Sequence, residues 1–191
     1  MEKIKRVPLA ISGVILGMAA LGNLLQSYGE GIRLIFGGVA FVLLLLLLCK
    51  AIFFPQVLKE EFSNPIGAGV TATFPMALML FSVYAKPFVQ GIASPLWCVA
   101  ILLQILLLLY FTKTYVLHFE EKNVHTVWYI VYVGIVVASL TSPAYKMQAL
   151  GQGIFYFGFI ALLILLVVVS KRYLKMPVPE PAKPLMMIYA A

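Results

Sequence analysis

The sequence predicts an all-α polytopic membrane protein built from repeated helical hairpins. Hydrophobic residues make up 63% of the 191 residues and charged residues only 11%, with a mean hydropathy of +1.02. A water-soluble domain of this size could not bury that much apolar surface in one core. A membrane helix needs about 20 mostly apolar residues. Six windows of that kind occur, at residues 8–27, 34–54, 65–84, 93–112, 124–142 and 150–170, and a seventh begins near Pro184.

The windows pair into a repeat, because Glu60, Glu120 and Glu180 are spaced 60 residues apart. Each glutamate follows an even-numbered window and precedes an odd-numbered one, so the repeating unit is a helical hairpin. We therefore expect one membrane domain over residues 1–191. Its short loops make the helices of each hairpin antiparallel neighbours. The expected units are hairpins at 1–58, 59–118 and 119–178, and the start of a fourth at 179–191.

Odd and even windows differ in composition. The even windows carry leucine runs such as 43–48 and 106–109, which suit a lipid-facing surface, whereas the odd windows are rich in Gly, Thr, Ser and Pro. We expect odd helices on the inside and even helices on the outside.

Small and polar residues recur at helical spacing within the odd windows. Gly13 and Gly17 share one face of the first helix, and Thr71 and Pro75 share one face of the third. Pro75 lacks a backbone donor and crowds the carbonyl of Thr71. One interpretation is close packing between helices. The other is a narrow pathway lined by small side chains and backbone dipoles. The pattern leaves both open.

The charge distribution predicts orientation and the sign of any transported ion. Eleven of the 14 Lys and Arg residues fall on the side of the N-terminus, and only Arg33, Lys86 and Lys146 fall on the other. This bias predicts a cytoplasmic N-terminus in a multi-pass protein of the cell membrane, and it explains the net charge of +7 without nucleic acid. The chain has no Asp, and its seven Glu lie in or near loops. Cation and proton pathways that use buried carboxylates are therefore disfavoured, and basic residues near the mouth favour anions.

One group of residues suggests a different class of function. His118, Glu121 and His125 would share a helical face if this segment were helical, and such a set could bind a metal in a membrane enzyme. A solvated loop is the competing interpretation. Because no Ser/His/Asp arrangement or phosphate-binding glycine loop accompanies them, we predict no catalytic residue, no bound metal and no cofactor. A non-conducting membrane scaffold is a further alternative.

Four segments resemble the tellurite-resistance/dicarboxylate transporter family, which includes bacterial TehA and the plant slow-type anion channels. They are ISGVILGMAALGNLL at 11–25, the stretch 64–84 with its TFPMALML, VGIVVASLTSP at 133–143 and PEPAKPLMMIYAA at 179–191. The resemblance implies five hairpins around a central anion pore, odd helices that line it, and a homotrimer. It also implies small organic or inorganic anions as substrates: C4-dicarboxylates, sulfite or tellurite-related oxyanions.

On this resemblance the pore-lining residues are Gly17, Thr71, Pro75 and Gly134, with Gly13 one turn before Gly17 on the same face. The family has ten helices, so we expect this chain to be a C-terminally truncated form with about the first six. The family's pore-occluding phenylalanine belongs to the ninth helix and therefore has no counterpart here.

Overall fold

Helices form the regular structure in the part of the chain that the structure describes. The computed structural model describes residues 7–178 together with Glu180 and Lys183. The α-helices are α1 (Ile11–Leu24), α2 (Glu30–Phe53), α3 (Pro55–Phe62), α4 (Pro65–Thr71), α5 (Thr73–Ala85), α6 (Gln90–Phe111), α7 (Val127–Tyr132), α8 (Val136–Thr141) and α9 (Gln148–Lys175). Short 3-10 turns cover Leu25–Tyr28, Glu121–Asn123 and Ser142–Tyr145, and a π-helical turn covers Thr112–Val116.

Six of the described segments are long and apolar enough to cross a membrane. In chain order these spans are Ile11–Tyr28, Glu30–Phe53, Pro65–Ala85, Gln90–Val116, Val127–Tyr145 and Gln148–Lys175. Each overlaps one of the six predicted windows, so the predicted all-α membrane fold is confirmed. The predicted seventh window lies outside the described residues, as does the predicted fourth unit apart from Glu180 and Lys183.

The connection between the second and third spans is a helix where the sequence suggested a plain loop. Pro55 opens α3, and a proline suits the first position of a helix because its missing N–H would be unpaired there anyway. Asn64 then caps α4, since its side-chain oxygen accepts from the N–H of Gly67 at 2.6 Å. The chain therefore turns into the third span through two consecutive helix starts.

Consecutive spans pack in pairs, and the third span also contacts the first and the fifth. In the third and fifth spans 61% and 44% of the most apolar window is buried, against 28%, 22% and 17% in the even spans, so the predicted inner position is confirmed for these two. The first span differs, with only 22% buried. Its face with Ala10, Gly17 and Ala20 is exposed, whereas Ile15 and Ala19 pack against its neighbours.

Candidate functional site

A cavity of about 1110 Å³ lies between the first, third, fifth and sixth spans, and we call it the inner groove. Its lining residues are Ala10, Gly13, Leu16, Val70, Thr73, Met76, Tyr129, Ile130, Val133, Gly134, Val136, Val137, Leu140, Leu162 and Leu166. None of these side chains carries a formal charge, and only Thr73 and Tyr129 carry a hydroxyl. The groove is therefore a weakly polar surface at membrane depth.

The third span is interrupted where it borders the groove. Helix α4 ends at Thr71 and α5 begins at Thr73, with Ala72 in a turn whose N–H donates to the carbonyl of Gly69 at 3.2 Å. Pro75 explains the interruption, because it has no N–H to offer the carbonyl of Thr71 and its ring crowds that oxygen. The hydroxyl of Thr73 lies 2.8 Å from the carbonyl oxygen of Val70.

The same hydroxyl links the third span to the first. Oγ1 of Thr73 lies 2.7 Å from Oγ of Ser12, which itself donates to the carbonyl of Leu9. Both hydroxyl side chains are buried. The interruption is therefore held against the start of the first span by a short polar chain.

The fifth span is interrupted at the opposite wall of the groove, between α7 and α8. The N–H of Gly134 donates to the carbonyl of Tyr129, five residues back, at 3.3 Å. The N–H groups of Val136 and Val137 then donate three residues back, at 3.0 and 3.1 Å. Because the usual four-residue step is lost here, the helix axis is free to change direction at Gly134.

Glycines allow the two interrupted spans to approach each other closely. A Cβ placed on Gly134 would lie 2.6 Å from Sδ of Met76 and 2.1 Å from the carbonyl oxygen of Ile130. A Cβ on Gly69 would lie 2.6 Å from Cβ of Val127. These distances are too short for a larger side chain, so both positions favour glycine for its size.

Polar side chains of the fourth span brace the fifth span from outside. Gln104 is fully buried, and its Nε2 donates to the carbonyl of Val131 at 3.0 Å, just before the interruption. Trp97 is also buried and donates through Nε1 to the hydroxyl of Thr141 at 2.8 Å. The fourth span thus supplies side-chain hydrogen-bond donors to the fifth span, where the backbone hydrogen bonds of the fifth span are irregular.

The predicted pore residues take different positions. Gly13 and Gly134 line the inner groove. Gly17 lies one turn beyond Gly13 and is exposed, and a Cβ added to it would meet no described atom within 4 Å. Thr71 is half-buried, and its hydroxyl donates to the carbonyl of Gly67 at 2.8 Å. Pro75 is almost completely buried and, like Thr71 and Gly17, does not belong to the groove lining.

Sequence reasoning missed Thr73 and Met76 as groove residues. They belong to a face with Val70 that lies, at helical spacing, on the opposite side of the span from Thr71 and Pro75. Both faces contain small or polar residues at helical spacing. The sequence feature that could have identified the groove-lining face is the threonine at position 73, but spacing alone could not distinguish between the two faces.

A second cavity lies at the end of the bundle where the first span begins, and we call it the entrance cavity. It has a volume of about 650 Å³ and is lined by Pro8, Leu9, Ala10, Glu61, Asn64, Pro65, Ile66, Gly67, Val70, Lys122, Asn123 and His125. Ala10 and Val70 also line the inner groove. The two cavities are therefore neighbours, and the entrance cavity is the one with charged side chains in its lining.

A buried ion pair stands behind one wall of the entrance cavity. Lys50, near the end of the second span, is completely buried, and its Nζ lies 2.6 Å from Oε1 of Glu61. The same Nζ donates to the carbonyl of Val7 at 2.5 Å. Oε2 of Glu61 accepts from the N–H of Leu9 at 3.0 Å. The pair thus joins the second span, α3 and the segment before the first span.

At the opposite end, an arginine and a tyrosine join the first three spans. Arg33 is buried, its Nη1 lies 3.1 Å from Oε2 of Glu30, and its guanidinium carbon lies 4.5 Å from the ring centroid of Tyr84. Gly22 and Gly37 make room for that ring. A Cβ on Gly22 would lie 2.2 Å from the tyrosine oxygen. This end is therefore held by close packing around one aromatic ring.

The three residues of the alternative metal hypothesis do not form one site. No α-helix covers 118–125, so the shared helical face that the metal hypothesis requires of His118, Glu121 and His125 does not form. His118 is exposed, Glu121 forms an exposed ion pair with Lys175 at 3.0 Å, and His125 is buried. Within the described part of the chain, no group of three or more His, Cys, Asp or Glu residues could hold a metal ion.

His125 is held in its neutral form. Burial, with a smaller contribution from the nearby charge of Arg172, lowers the pKa of His125 from 6.5 to about 4. Its Nδ1 is buried and has no hydrogen-bond partner among the residues that the structure describes. At neutral pH the entrance cavity therefore gains no positive charge from this ring.

The sequence matches the family described as SLAC1, voltage-dependent anion channel, over residues 6–191. The chain belongs to the SLAC1 family. This match confirms the resemblance to the slow-type anion channels. SLAC1 proteins are channels and transporters rather than enzymes, and the six apolar spans identify this member as a multi-pass membrane protein. A search of curated proteins gave no match.

Proposed function

We propose that the inner groove is part of the wall of a transmembrane pathway for small anions. The observation that carries the proposal is an uncharged groove at membrane depth, placed where the interrupted backbones of the third and fifth spans meet, in a SLAC1-family chain. Without carboxylates the groove has no side-chain charge to attract cations. Without basic side chains it has no deep trap for an anion, and rapid conduction requires weak binding.

The predicted residues have distinct roles in this proposal. Because Gly13 and Gly17 have no side chains, they leave space along the face of the first span that borders the pathway. Gly134 permits the change of direction in the fifth span. Thr71 and Pro75 act on the pathway through the interruption at Ala72, which lies between the groove residues Val70 and Thr73.

Bulky substitutions at the open glycines test the pathway. A Cβ at Gly13 or Gly17 meets no described atom within 4 Å, so the side chains of Gly13→Leu and Gly17→Leu start in open space. Thermal unfolding of each variant identifies those that fold. We expect each to lower anion flux in reconstituted vesicles by roughly tenfold or more, since conduction falls steeply when a pore narrows. Gly38→Leu is the matched control, because Gly38 is equally open but lies on the outer second span.

Two results would contradict the pathway. Flux that is unchanged in Gly13→Leu and Gly17→Leu would place permeation elsewhere. An absence of anion flux in the unmodified, folded protein at every voltage and gradient would favour the non-conducting scaffold. Substrate class is tested in the same vesicles, where we expect C4-dicarboxylates, sulfite or a tellurite-related oxyanion to compete with the measured flux.

Orientation and assembly belong to the same proposal. The excess of Lys and Arg at the end where the first span begins supports a cytoplasmic N-terminus in the cell membrane. In a variant with Cys49 and Cys98 changed to Ser, we expect Lys146→Cys, and not Lys59→Cys, to react with a membrane-impermeant maleimide added outside cells. We further propose a homotrimer, which native mass spectrometry of the detergent-solubilised protein would detect directly.

A further inference from the structure

Glu61 places a negative charge at the wall of the entrance cavity. Its side chain is 33% exposed, and it is the one acidic residue among the described lining residues of that cavity. Lys122, the one basic lining residue described, lies 3.1 Å from the Glu120 carboxylate. An uncompensated carboxylate here would repel any anion that approaches the inner groove.

Lys50 compensates the negative charge of Glu61 from inside the protein. Its ammonium group lies 2.6 Å from Glu61 and is completely buried, so it reaches the cavity only through its effect on the carboxylate. A buried pair is screened by salt much less than a surface pair. The charge of Glu61 is therefore balanced even at high ionic strength, and the wall of the entrance cavity presents no net negative charge at this point.

We propose that Lys50 is a specificity-determining residue of the pathway, which keeps the entrance cavity passable for anions by neutralising Glu61. This inference rests on the proposed function and deepens it. Lys50 does not touch the permeating ion; it acts through the carboxylate that borders the cavity. A unit charge about 8 Å from an ion, at an effective dielectric constant near 20, changes the local concentration of that ion by roughly 30-fold without salt and by roughly four- to fivefold with salt screening. Because an anion and a cation change in opposite directions, their concentration ratio changes by roughly the square of that factor.

A purely structural role makes a different prediction from an electrostatic one. The pair ties together the second span, α3 and the backbone of Val7 and Leu9, so loss of either partner would weaken the fold in the same direction. If the role is electrostatic, the two substitutions instead leave the wall of the entrance cavity with net charges of opposite sign. Lys50→Gln leaves a net negative wall, whereas Glu61→Gln leaves a net positive one.

The test is the reversal potential of the reconstituted protein under a KCl gradient, which gives the chloride-to-potassium permeability ratio. We expect Lys50→Gln to lower this ratio roughly tenfold and Glu61→Gln to raise it, with the double variant close to the unmodified protein. Lys50→Arg, which keeps the charge, should keep the ratio. Lys59→Gln is the matched control, because Lys59 is exposed on α3 and does not line the entrance cavity.

Thermal unfolding of each variant identifies those that fold. If Lys50→Gln fails to fold, the ratio in Glu61→Gln and in Lys50→Arg still decides the question. The inference is overturned if the folded variants shift the ratio in the same direction, or if Glu61→Gln leaves it unchanged. A folded, unmodified protein that passes no chloride or other small anion would instead overturn the proposed function, and this inference with it.

Discussion

Replacing Gly134 with alanine tests whether the interruption of the fifth span depends on a missing side chain. The new methyl group would lie 2.1 Å from the carbonyl oxygen of Ile130 and 2.6 Å from Sδ of Met76. The methionine side chain is flexible and can turn aside. The carbonyl belongs to the preceding turn of the same span, so it can retreat only if the backbone changes direction.

The size of the effect follows from these distances. A carbon and a carbonyl oxygen normally approach no closer than about 3.3 Å, so the two groups must separate by roughly 1 Å. Overpacking of this kind costs about 1–3 kcal/mol in a well-packed interior. We therefore expect Gly134→Ala to lower the free energy of unfolding by about 2 kcal/mol, which lowers the melting temperature by about 4–8 °C for a chain of this length.

Thermal unfolding in detergent provides the assay, because Trp97 and Trp128 are both buried and report on it by fluorescence. Gly38→Ala is the control. Gly38 lies inside a regular helix with no described atom within 4 Å of an added Cβ, so alanine there should stabilise by up to about 1 kcal/mol. The two Gly→Ala changes thus have opposite expected signs.

A double variant separates the two contacts of the new methyl group. In a Met76→Ala background the sulfur contact is gone but the carbonyl contact remains, so the cost of Gly134→Ala should fall without disappearing. Unfolding of Gly134→Ala at or above the temperature of the unmodified protein would refute the reasoning. It would mean that the interruption tolerates a side chain and that glycine is not required for its geometry.

Three further predictions concern stability. Gly22→Ala should lower the free energy of unfolding by about 1–3 kcal/mol, because its Cβ would lie 2.2 Å from the Tyr84 hydroxyl oxygen. This loss should be smaller in a Tyr84→Phe background, and additive effects in the double variant would contradict the prediction. Gln104→Met should lower the free energy of unfolding by about 1 kcal/mol, because the hydrogen bond to the Val131 carbonyl is lost. Gln104→Glu should lower it by several kcal/mol, because it buries a carboxylate against that carbonyl oxygen. Equal melting temperatures of the two variants would contradict this prediction. Because His125 binds protons more weakly in the folded state, its contribution to stability should be fully present above pH 6.5. The free energy of unfolding should then fall by up to about 3 kcal/mol as the pH drops toward 4. If the same pH dependence persists in His125→Asn, another group is responsible for it.

The candidate site could be predicted from the sequence only in part. The contrast between odd and even windows correctly placed the third and fifth spans inside, because a helix with glycine, threonine and proline is unfavourable against lipid. The choice of face within the third span could not be predicted. Thr71 and Pro75 share helical spacing, yet Thr73 and Met76, on the opposite side of the span, line the groove, and spacing alone does not tell which side meets the neighbouring spans.

The ion pair between Lys50 and Glu61 was also beyond sequence reasoning. Both residues looked like ordinary charges at the ends of membrane segments. Their pairing depends on α3, a helix that the sequence pattern did not predict, which carries Glu61 back toward the second span. The metal hypothesis failed for a related reason, because helical spacing has meaning only where a helix forms, and residues 118–125 do not form an α-helix.

The membrane class, the six spans and the membership of the SLAC1 family could all be read from the order of residues along the chain. These follow from local properties, since each span needs only its own length of apolar residues to enter a bilayer. Two features depend instead on the packed bundle: the faces that line the inner groove, and the pairing of the buried charges. They arise from contacts between residues far apart in the chain, and the periodicity of a single helix contains no information about them.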